Sequence, residues 1–342
     1  MIIRATSYPR AGLIGNPSDG YNGKTIAFVF RNFFAEVVLY ESPELEILPN
    51  TRDHSKFESI GGLAADVGKF GYYGGIRLLK ATVKRFHDYC REGGIDLHSE
   101  NFTIRYRTDI PSQVGLAGSS AIITACMRAL MAFYQVSIPK PVLANLILSV
   151  ETKELGIPAG LQDRVAQVYE GLVYMDFDKE LMGRQGWGHY EPLDPAMLPP
   201  LYLAYRADLA EGTEVLHNDL RERYNRGDRD VLEAIQEWAS LAVQVKDLLK
   251  RGQGDAIGPV LDRNFDIRRR VCCVSDGNIR MVEMARSVGA SAKFTGSGGA
   301  IVGTYTDEKM YRALEESLQS IDVRVLRPTI ENESSGRKGG VS

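Results

Sequence analysis

Residues 111–121 read Pro111-Ser112-Gln113-Val114-Gly115-Leu116-Ala117-Gly118-Ser119-Ser120-Ala121 and run directly into Ala121–Tyr134, which is apolar enough to be a buried helix. A glycine turn entering a helix exposes backbone N–H groups that have no partner within the helix. The helix dipole adds partial positive charge there, so the junction suits a phosphate. Ser119 and Ser120 add hydroxyls for a phosphate or a hard divalent cation. A serine N-cap after an ordinary loop accounts for the same residues, and both readings stand at this point. No Lys-Ser or Lys-Thr follows Gly118, so this is not a Walker A loop, and it is not GxGxxG either.

Upstream of this segment, Ile2–Thr6, Thr25–Phe30 and Phe33–Tyr40 are short β-type runs, the last alternating as a half-buried antiparallel strand does. Tyr72–Cys90 carries Ile76, Leu79, Val83 and Phe86 at helical spacing. Phe102–Arg107 alternates again. Downstream, Pro141 suits the first turn of a helix that runs to about Leu155 and stops before Gly156 and Pro158. Leu172–Phe177 reads as a strand, and Pro192–Pro200 as a boundary. Leu201–Arg206 is strand-like, and three helical segments follow between about Thr213 and Val288. Lys293–Thr295 and Ala300–Tyr305 flank a glycine loop, followed by a helix from Asp307 and a strand at Val323–Arg327. The polar, glycine-rich tail Glu331–Ser342 is expected to be disordered. Strands and helices mix without a regular βαβ rhythm, which favours α+β. The expected domains are 1–198 and 199–330, with 331–342 as the tail.

Three other segments hold chemistry-bearing residues. Tyr8-Pro9-Arg10-Ala11-Gly12-Leu13-Ile14-Gly15-Asn16-Pro17-Ser18-Asp19-Gly20 packs an arginine, an asparagine, an aspartate and three glycines beside a strand. It is either a substrate wall with a fixed guanidinium fork or a hairpin loop with solvated charges. Lys293-Phe294-Thr295-Gly296-Ser297-Gly298-Gly299-Ala300 lies between two strand-like runs. Three glycines in four positions serve either a ligand's close approach or a tight turn. Glu151-Thr152-Lys153-Glu154-Leu155-Gly156-Ile157-Pro158-Ala159-Gly160-Leu161-Gln162-Asp163 leaves a helix through glycines and ends on an aspartate. Glu151 and Glu154 share a helix face in that reading, and Asp163 is also readable as an N-cap.

The 342 residues carry 41 basic and 44 acidic side chains, a net charge of -3. No basic field exists for a nucleic acid. No apolar run approaches the ~18 residues of a membrane helix. The chain opens MIIRATSYPRAG, with no basic-then-apolar leader. Cys90, Cys126, Cys272 and Cys273 lack metal-site spacing and read as free buried thiols, so the cytoplasm is the expected compartment.

Taken in order, a Pro-Arg-Gly loop, a central Gly-Ser loop, a Glu…Gly…Asp segment and a Lys-x-Thr-Gly-x-Gly-Gly loop resemble the galactokinase–homoserine kinase–mevalonate kinase–phosphomevalonate kinase (GHMP) superfamily, over about residues 4–330. Gly-Asn-Pro-Ser-Asp at 15–19, GYYGG at 71–75, GLQDRVAQV at 160–168, NFDIRRR at 264–270 and KFTGSGGA at 293–300 resemble the plant glucuronokinases within it. The resemblance implies an α+β two-domain fold, with an N-terminal ribosomal-protein-S5-like domain and a C-terminal ferredoxin-like domain. It implies ATP and Mg²⁺, a sugar acid as the small-molecule partner, and phosphorylation of the anomeric hydroxyl of D-glucuronate.

The roles it implies fall on named positions. Asp163 is the catalytic carboxylate, with Arg10 beside the transferred phosphoryl group. Pro111, Gly115, Leu116, Ala117, Gly118, Ser119, Ser120 and Ala121 surround the ATP phosphates. Glu151 and Ser120 hold the metal, although one extra residue in Gly-Leu-Ala-Gly-Ser-Ser-Ala makes Ser119 the competing hydroxyl. Asn16, Asp19, Thr295, Gly296, Ser297 and Gly298 face the substrate. The galactokinases have a glutamate where Asn16 stands, which argues against galactose. An acid sugar calls for a cationic partner, for which Arg10 and one of Arg268, Arg269 and Arg270 are the candidates, Arg268 foremost. Another uronic acid, an aldose or a heptose is the alternative substrate. A non-turning sugar sensor is the more distant alternative.

Overall fold

The computed structural model describes residues 1–49, 74–206 and 220–331. In chain order the elements are β1 (Ile2–Ser7), β2 (Arg10–Ile14), β3 (Lys24–Val29), β4 (Ala35–Glu41), β5 (Glu46–Leu48), α1 (Gly75–Glu92), β6 (Phe102–Thr108), α2 (Gly118–Phe133) and α3 (Lys140–Ser149). There follow α4 (Leu161–Tyr169), β7 (Leu172–Asp176), α5 (Lys179–Gln185), β8 (His189–Leu193), β9 (Leu201–Tyr205) and α6 (Arg229–Lys250). The last are α7 (Gly258–Val271), α8 (Asp276–Ser287), β10 (Lys293–Phe294), β11 (Ala300–Thr304), α9 (Glu308–Gln319) and β12 (Arg324–Leu326). The mixture is α+β, as expected.

The chain forms two compact units, each assembled from separated stretches. One holds residues 1–8, 33–109 and 119–159; the other holds 9–32, 110–118 and 160–342. A cut at 198/199 divides the chain by continuity and these units divide it by contact.

In the first unit, β1, β4, β6 and β5 form one sheet in the order β1-β4-β6-β5, antiparallel except for the β5–β6 pair. Helix α2 is buried almost all round, from Ser120 through Phe133, as its apolar sequence requires. Phe133 meets Phe102 and His98 edge-on, with centroids 5.4 and 4.9 Å away. The helix expected over 141–155 instead ends at Ser149 and continues as a π-helical turn, Val150–Glu154. Gly156, at φ +65°, then ends it.

The second unit has two sheets, β2-β3-β7-β8 and β10-β11-β9-β12. Helices α7, α8 and α9 cover the latter through Phe265, Met281, Val282, Tyr311, Leu314 and Leu318, packed on Tyr202, Phe294 and Ile301. The first glycine-bearing segment departs from the loop expected for it. Arg10–Ile14 is a fully buried strand, paired with β3, and only then does the chain turn through Gly15 into a 3₁₀ turn at Ser18–Tyr21. A strand interrupted by Gly12 and begun by an arginine has no clean alternation to read, because both of its faces are covered.

Other differences are smaller. β5, α5 and β8 lie where no element was expected, β8 running into the proline-rich stretch. Residues 72–73 of the first expected helix, 213–219 of the helical region and 332–342 of the tail lie outside the described residues. All four cysteines are free; Cys90 and Cys126 are buried, whereas Cys272 is partly and Cys273 fully exposed, contrary to the expectation of four buried thiols. Among the described residues no helix is long and apolar enough to cross a membrane.

Candidate active site

The second unit gathers most of the expected residues around Arg10. Its position on β2 buries it, with 6% of its surface exposed. Nε donates to Asp163 Oδ1 at 2.6 Å, and Nη1 donates to the carbonyls of Gly115 at 2.8 Å and Thr295 at 2.9 Å. One guanidinium therefore ties together strand β2, the central loop, the C-terminal glycine loop and the aspartate. The bonds are charge-assisted and fixed in direction by the planar fork, which a lysine cannot reproduce.

Asp163 is the third residue of α4, capped by Gly160, and is not itself the N-cap. Its place in the first turn sets a negative charge at the positive end of the helix dipole. Oδ2 lies 3.4 Å from Arg164, whose Nη1 also donates to the Gly160 carbonyl at 2.7 Å. Asp19, on the 3₁₀ turn, belongs to the same cluster. Burial and the Asp163 charge, against the lowering effect of Arg10, push its carboxyl up to about 6. A Cβ on Gly160 would stand 2.8 Å from Asp19 Oδ2, so glycine is what lets the two segments meet.

The two glycine loops pack backbone against backbone. A Cβ on Gly296 would lie 2.6 Å from the Gly115 carbonyl, and one on Gly115 3.1 Å from the Gly298 carbonyl. Gly115 has φ +69° and Ala117 φ +60°, conformations that turn the loop into α2. The loop is pinned by Arg10 N–H to the Leu116 carbonyl at 3.2 Å and by Gln167 Nε2 to the Ala117 carbonyl at 2.9 Å.

Arg268 is not poised for a substrate carboxylate. It is buried with 4% exposed, its Nη1 and Nη2 donate to the Gly296 and Ser297 carbonyls at 2.8 and 3.0 Å, and its guanidinium lies 5.0 Å over Phe294. Arg269 pairs with Glu283 and Arg270 with Glu237 at the surface.

Three buried residues of this region carry roles that sequence reasoning did not assign. Asn264 Oδ1 accepts from Gly15 N–H at 2.8 Å and Nδ2 donates to the Asn16 carbonyl at 3.1 Å. Asn264 and Arg268 are four residues apart on α7, so one helix face holds both loops. Lys293 Nζ donates to the Gly12 carbonyl and to Asn16 Oδ1, both at 2.6 Å. A lysine nitrogen in this position donates, so the Asn16 oxygen faces it and the Asn16 NH₂ group is turned away. Burial, with the charges of Arg268 and Arg10, pushes Lys293 well below its ordinary range. Asn278 Oδ1 accepts from Gly299 N–H at 3.0 Å. The strings NFDIRRR and KFTGSGGA were the available signal for the first two, but neither string says where its polar side chains point.

In the first unit, Ser119 Oγ donates to Glu151 Oε1 at 2.8 Å. Glu151 is 2% exposed, on the π-helical turn, whose carbonyl at Glu151 accepts from Ile157 N–H at 2.8 Å. Glu154 points elsewhere and pairs with Lys84 at 3.0 Å. Ser120 is fully buried within α2. The structure thus pairs Ser119 with the expected metal carboxylate, where Ser120 had been favoured. A hydroxyl and a carboxylate are hard oxygen donors and fit Mg²⁺, which completes its shell with water and phosphate oxygens.

Residues 77–171 match the family described as the GHMP kinases N terminal domain. Glucuronokinase 1 of Arabidopsis thaliana is 46% identical over 306 residues, 88% of this chain and 84% of that protein. The same organism's probable glucuronokinase 2 is 47% identical over 308 residues, again 88% and 84%. The chain belongs to the GHMP kinase family. The crystal structure of Lactococcus lactis galactokinase complexed with galactose superposes with a TM-score of 0.75 at 14% identity, covering 97% of this chain and 94% of that one. At that identity the likeness concerns the fold, and it places this GHMP kinase among two-domain α+β structures.

Proposed function

We propose that the chain is an ATP-dependent sugar 1-kinase that converts D-glucuronate to glucuronate 1-phosphate and ADP. The observation that carries this reading is the 2.6 Å Arg10–Asp163 pair in a chain 46% identical to a curated glucuronokinase. Asp163 takes the proton of the anomeric hydroxyl as its oxygen forms the bond to the γ-phosphorus. The bond between that phosphorus and the β–γ bridging oxygen breaks, and ADP leaves with its electron pair. Asp163 then returns its proton to solvent.

Arg10 holds Asp163 in one orientation and lends positive charge to the transferring group, which is where such reactions are accelerated. Pro111, Gly115–Ala117 and the N–H groups that open α2 receive the nucleotide phosphates. Ser119 and Glu151 would hold Mg²⁺, which supplies charge neutralisation at the phosphates. The Ser119–Glu151 hydrogen bond favours Ser119 over Ser120 for this task. Asn16 and Asp19 meet sugar hydroxyls, and Thr295–Gly298 close against the acceptor side. The chain's N-terminal domain runs to residue 198 and its C-terminal domain over 199–330, in the reducing setting of the cytoplasm.

The test is ATP consumption measured side by side on glucuronate, galacturonate, glucose and galactose. Turnover on glucuronate well above the neutral sugars supports the reading. Comparable rates on glucose and glucuronate overturn the substrate while leaving the kinase standing.

A further inference from the structure

A sugar acid brings a carboxylate that needs a cation, and the two arginines expected for it are occupied. Arg10 is spent on Asp163, Gly115 and Thr295, and Arg268 on Gly296 and Ser297. Lys293 is spent on Gly12 and Asn16, Arg164 on Asp163 and Gly160, and Lys24 on Asp176. Among the described residues, Arg221 is the cation against the first loop that meets neither a carboxylate nor a carbonyl.

Its guanidinium lies 4.4 Å over the ring of Tyr21, and Nη2 stands 3.4 Å from the place a Cβ on Gly20 would occupy. Tyr21 is itself fixed: it is 5% exposed and packs on Tyr224 with centroids 4.8 Å apart. The stack therefore presets an exposed, long side chain in one place, which lowers the entropy lost on binding. The Tyr21 hydroxyl is buried and has no hydrogen-bond partner, an unmet polar demand beside the cation. Tyr21 and Gly20 follow Asp19, whose carboxyl lies within the influence of Asp163.

On a pyranose uronate the carboxyl group and the anomeric hydroxyl flank the ring oxygen, one ring edge apart. A cation selecting the carboxylate must therefore stand on the acceptor side, and Arg221 lies against Gly20, the residue that follows Asp19. Resting on the glucuronokinase reading above, we propose that Arg221, supported on Tyr21, binds the carboxylate of the acid sugar and sets the preference for uronates over neutral sugars.

The experiment compares wild type, Arg221→Lys and Arg221→Ala on glucuronate and glucose, with kcat and KM resolved. Arg221→Ala is expected to lower kcat/KM for glucuronate by about 10²-fold, chiefly through KM. Glucose turnover and the KM for ATP should stay within about twofold of wild type. Arg221→Lys, with charge but no fork, should fall between. A merely structural role would lower both sugars together. An unchanged glucuronate-to-glucose ratio in Arg221→Ala overturns the proposal while the enzyme's activity stands. Wild type inactive on glucuronate and galacturonate overturns the underlying activity, and Arg221 with it. If Arg221→Ala loses its melting transition, Arg221→Gln, which is shorter but keeps a planar, uncharged polar end, is read for the same ratio.

Discussion

Asp163 and Glu151 are the two carboxylates assigned to the reaction, and the protein surrounds them differently. Asp163 stands in a cluster already bonded together: Arg10 reaches three separate segments, Lys293 and Asn264 clamp Gly12–Asn16, and Arg268 clamps Gly296 and Ser297. Glu151 is paired with a hydroxyl at the start of a helix, on a π-helical turn. The acceptor side must hold a neutral hydroxyl in line, which only preset geometry can do. In the proposed function, a Mg²⁺ held at Glu151 would leave part of its shell to water and phosphate, because the ion carries its own charge and keeps waters. π-helical turns recur at functional sites because they offset a side chain from the regular helix surface.

That contrast can be broken at several points. Asp163→Asn keeps shape and removes the charge. It should lower kcat by ~10²–10⁴ with ATP binding nearly intact by calorimetry, and retention of more than about a tenth of wild-type kcat would remove Asp163 from the chemistry. Asn264→Ala should come next. Both loop bonds vanish and buried donors and acceptors are stranded, so stability should fall by roughly 1–3 kcal/mol. kcat/KM should fall by about 10-fold or more even at temperatures where the variant is fully folded; a stability loss with normal kinetics would make Asn264 a scaffold residue only.

On the metal side the effect should be smaller and of another kind. Glu151→Gln and Ser119→Ala are each expected to raise the Mg²⁺ concentration for half-maximal activity by roughly 10-fold, with little change in sugar KM. Ser120→Ala should leave that titration alone. A Ser120→Ala shift larger than the Ser119→Ala one would reverse the assignment.

The mildest test uses pH. Asp19 is raised from 3.8 to about 6 in the folded chain, so between those values the folded state binds more protons than the unfolded one. Its contribution is present at low pH and is lost as pH rises through about 6. Asp19→Asn should therefore flatten the fall in melting temperature across that window, and a profile identical to wild type would show that Asp19 titrates normally.

Much of this was legible in the chain itself. The apolar run behind Gly118 declared α2, the alternation of residues 33–40 declared β4, and the order of four glycine-bearing segments pointed to the family before any side chain was placed. The resemblance also singled out Arg10 and Asp163, which the structure brings together at 2.6 Å. What misled was local pattern where tertiary contact rules. A loop was expected at Arg10–Ile14, which is a strand buried on both faces, so neither alternation nor turn chemistry distinguishes it. The three arginines at 268–270 looked equivalent. One of them, Arg268, turns inward and serves carbonyls.

The sequence by itself determined which backbone can bend where and which stretches must be buried, because those depend on glycine, proline and apolar spacing along the chain. It thereby set most of the elements and the family. Only the tertiary structure decided what each polar side chain does: that Ser119 meets Glu151, that Arg268 and Lys293 are consumed in holding loops, and that Arg221 is left on Tyr21. The partners of these groups lie up to 281 positions away in the chain. A hydrogen bond depends on distance and direction in space, and neither is encoded in the spacing of the residues that make it.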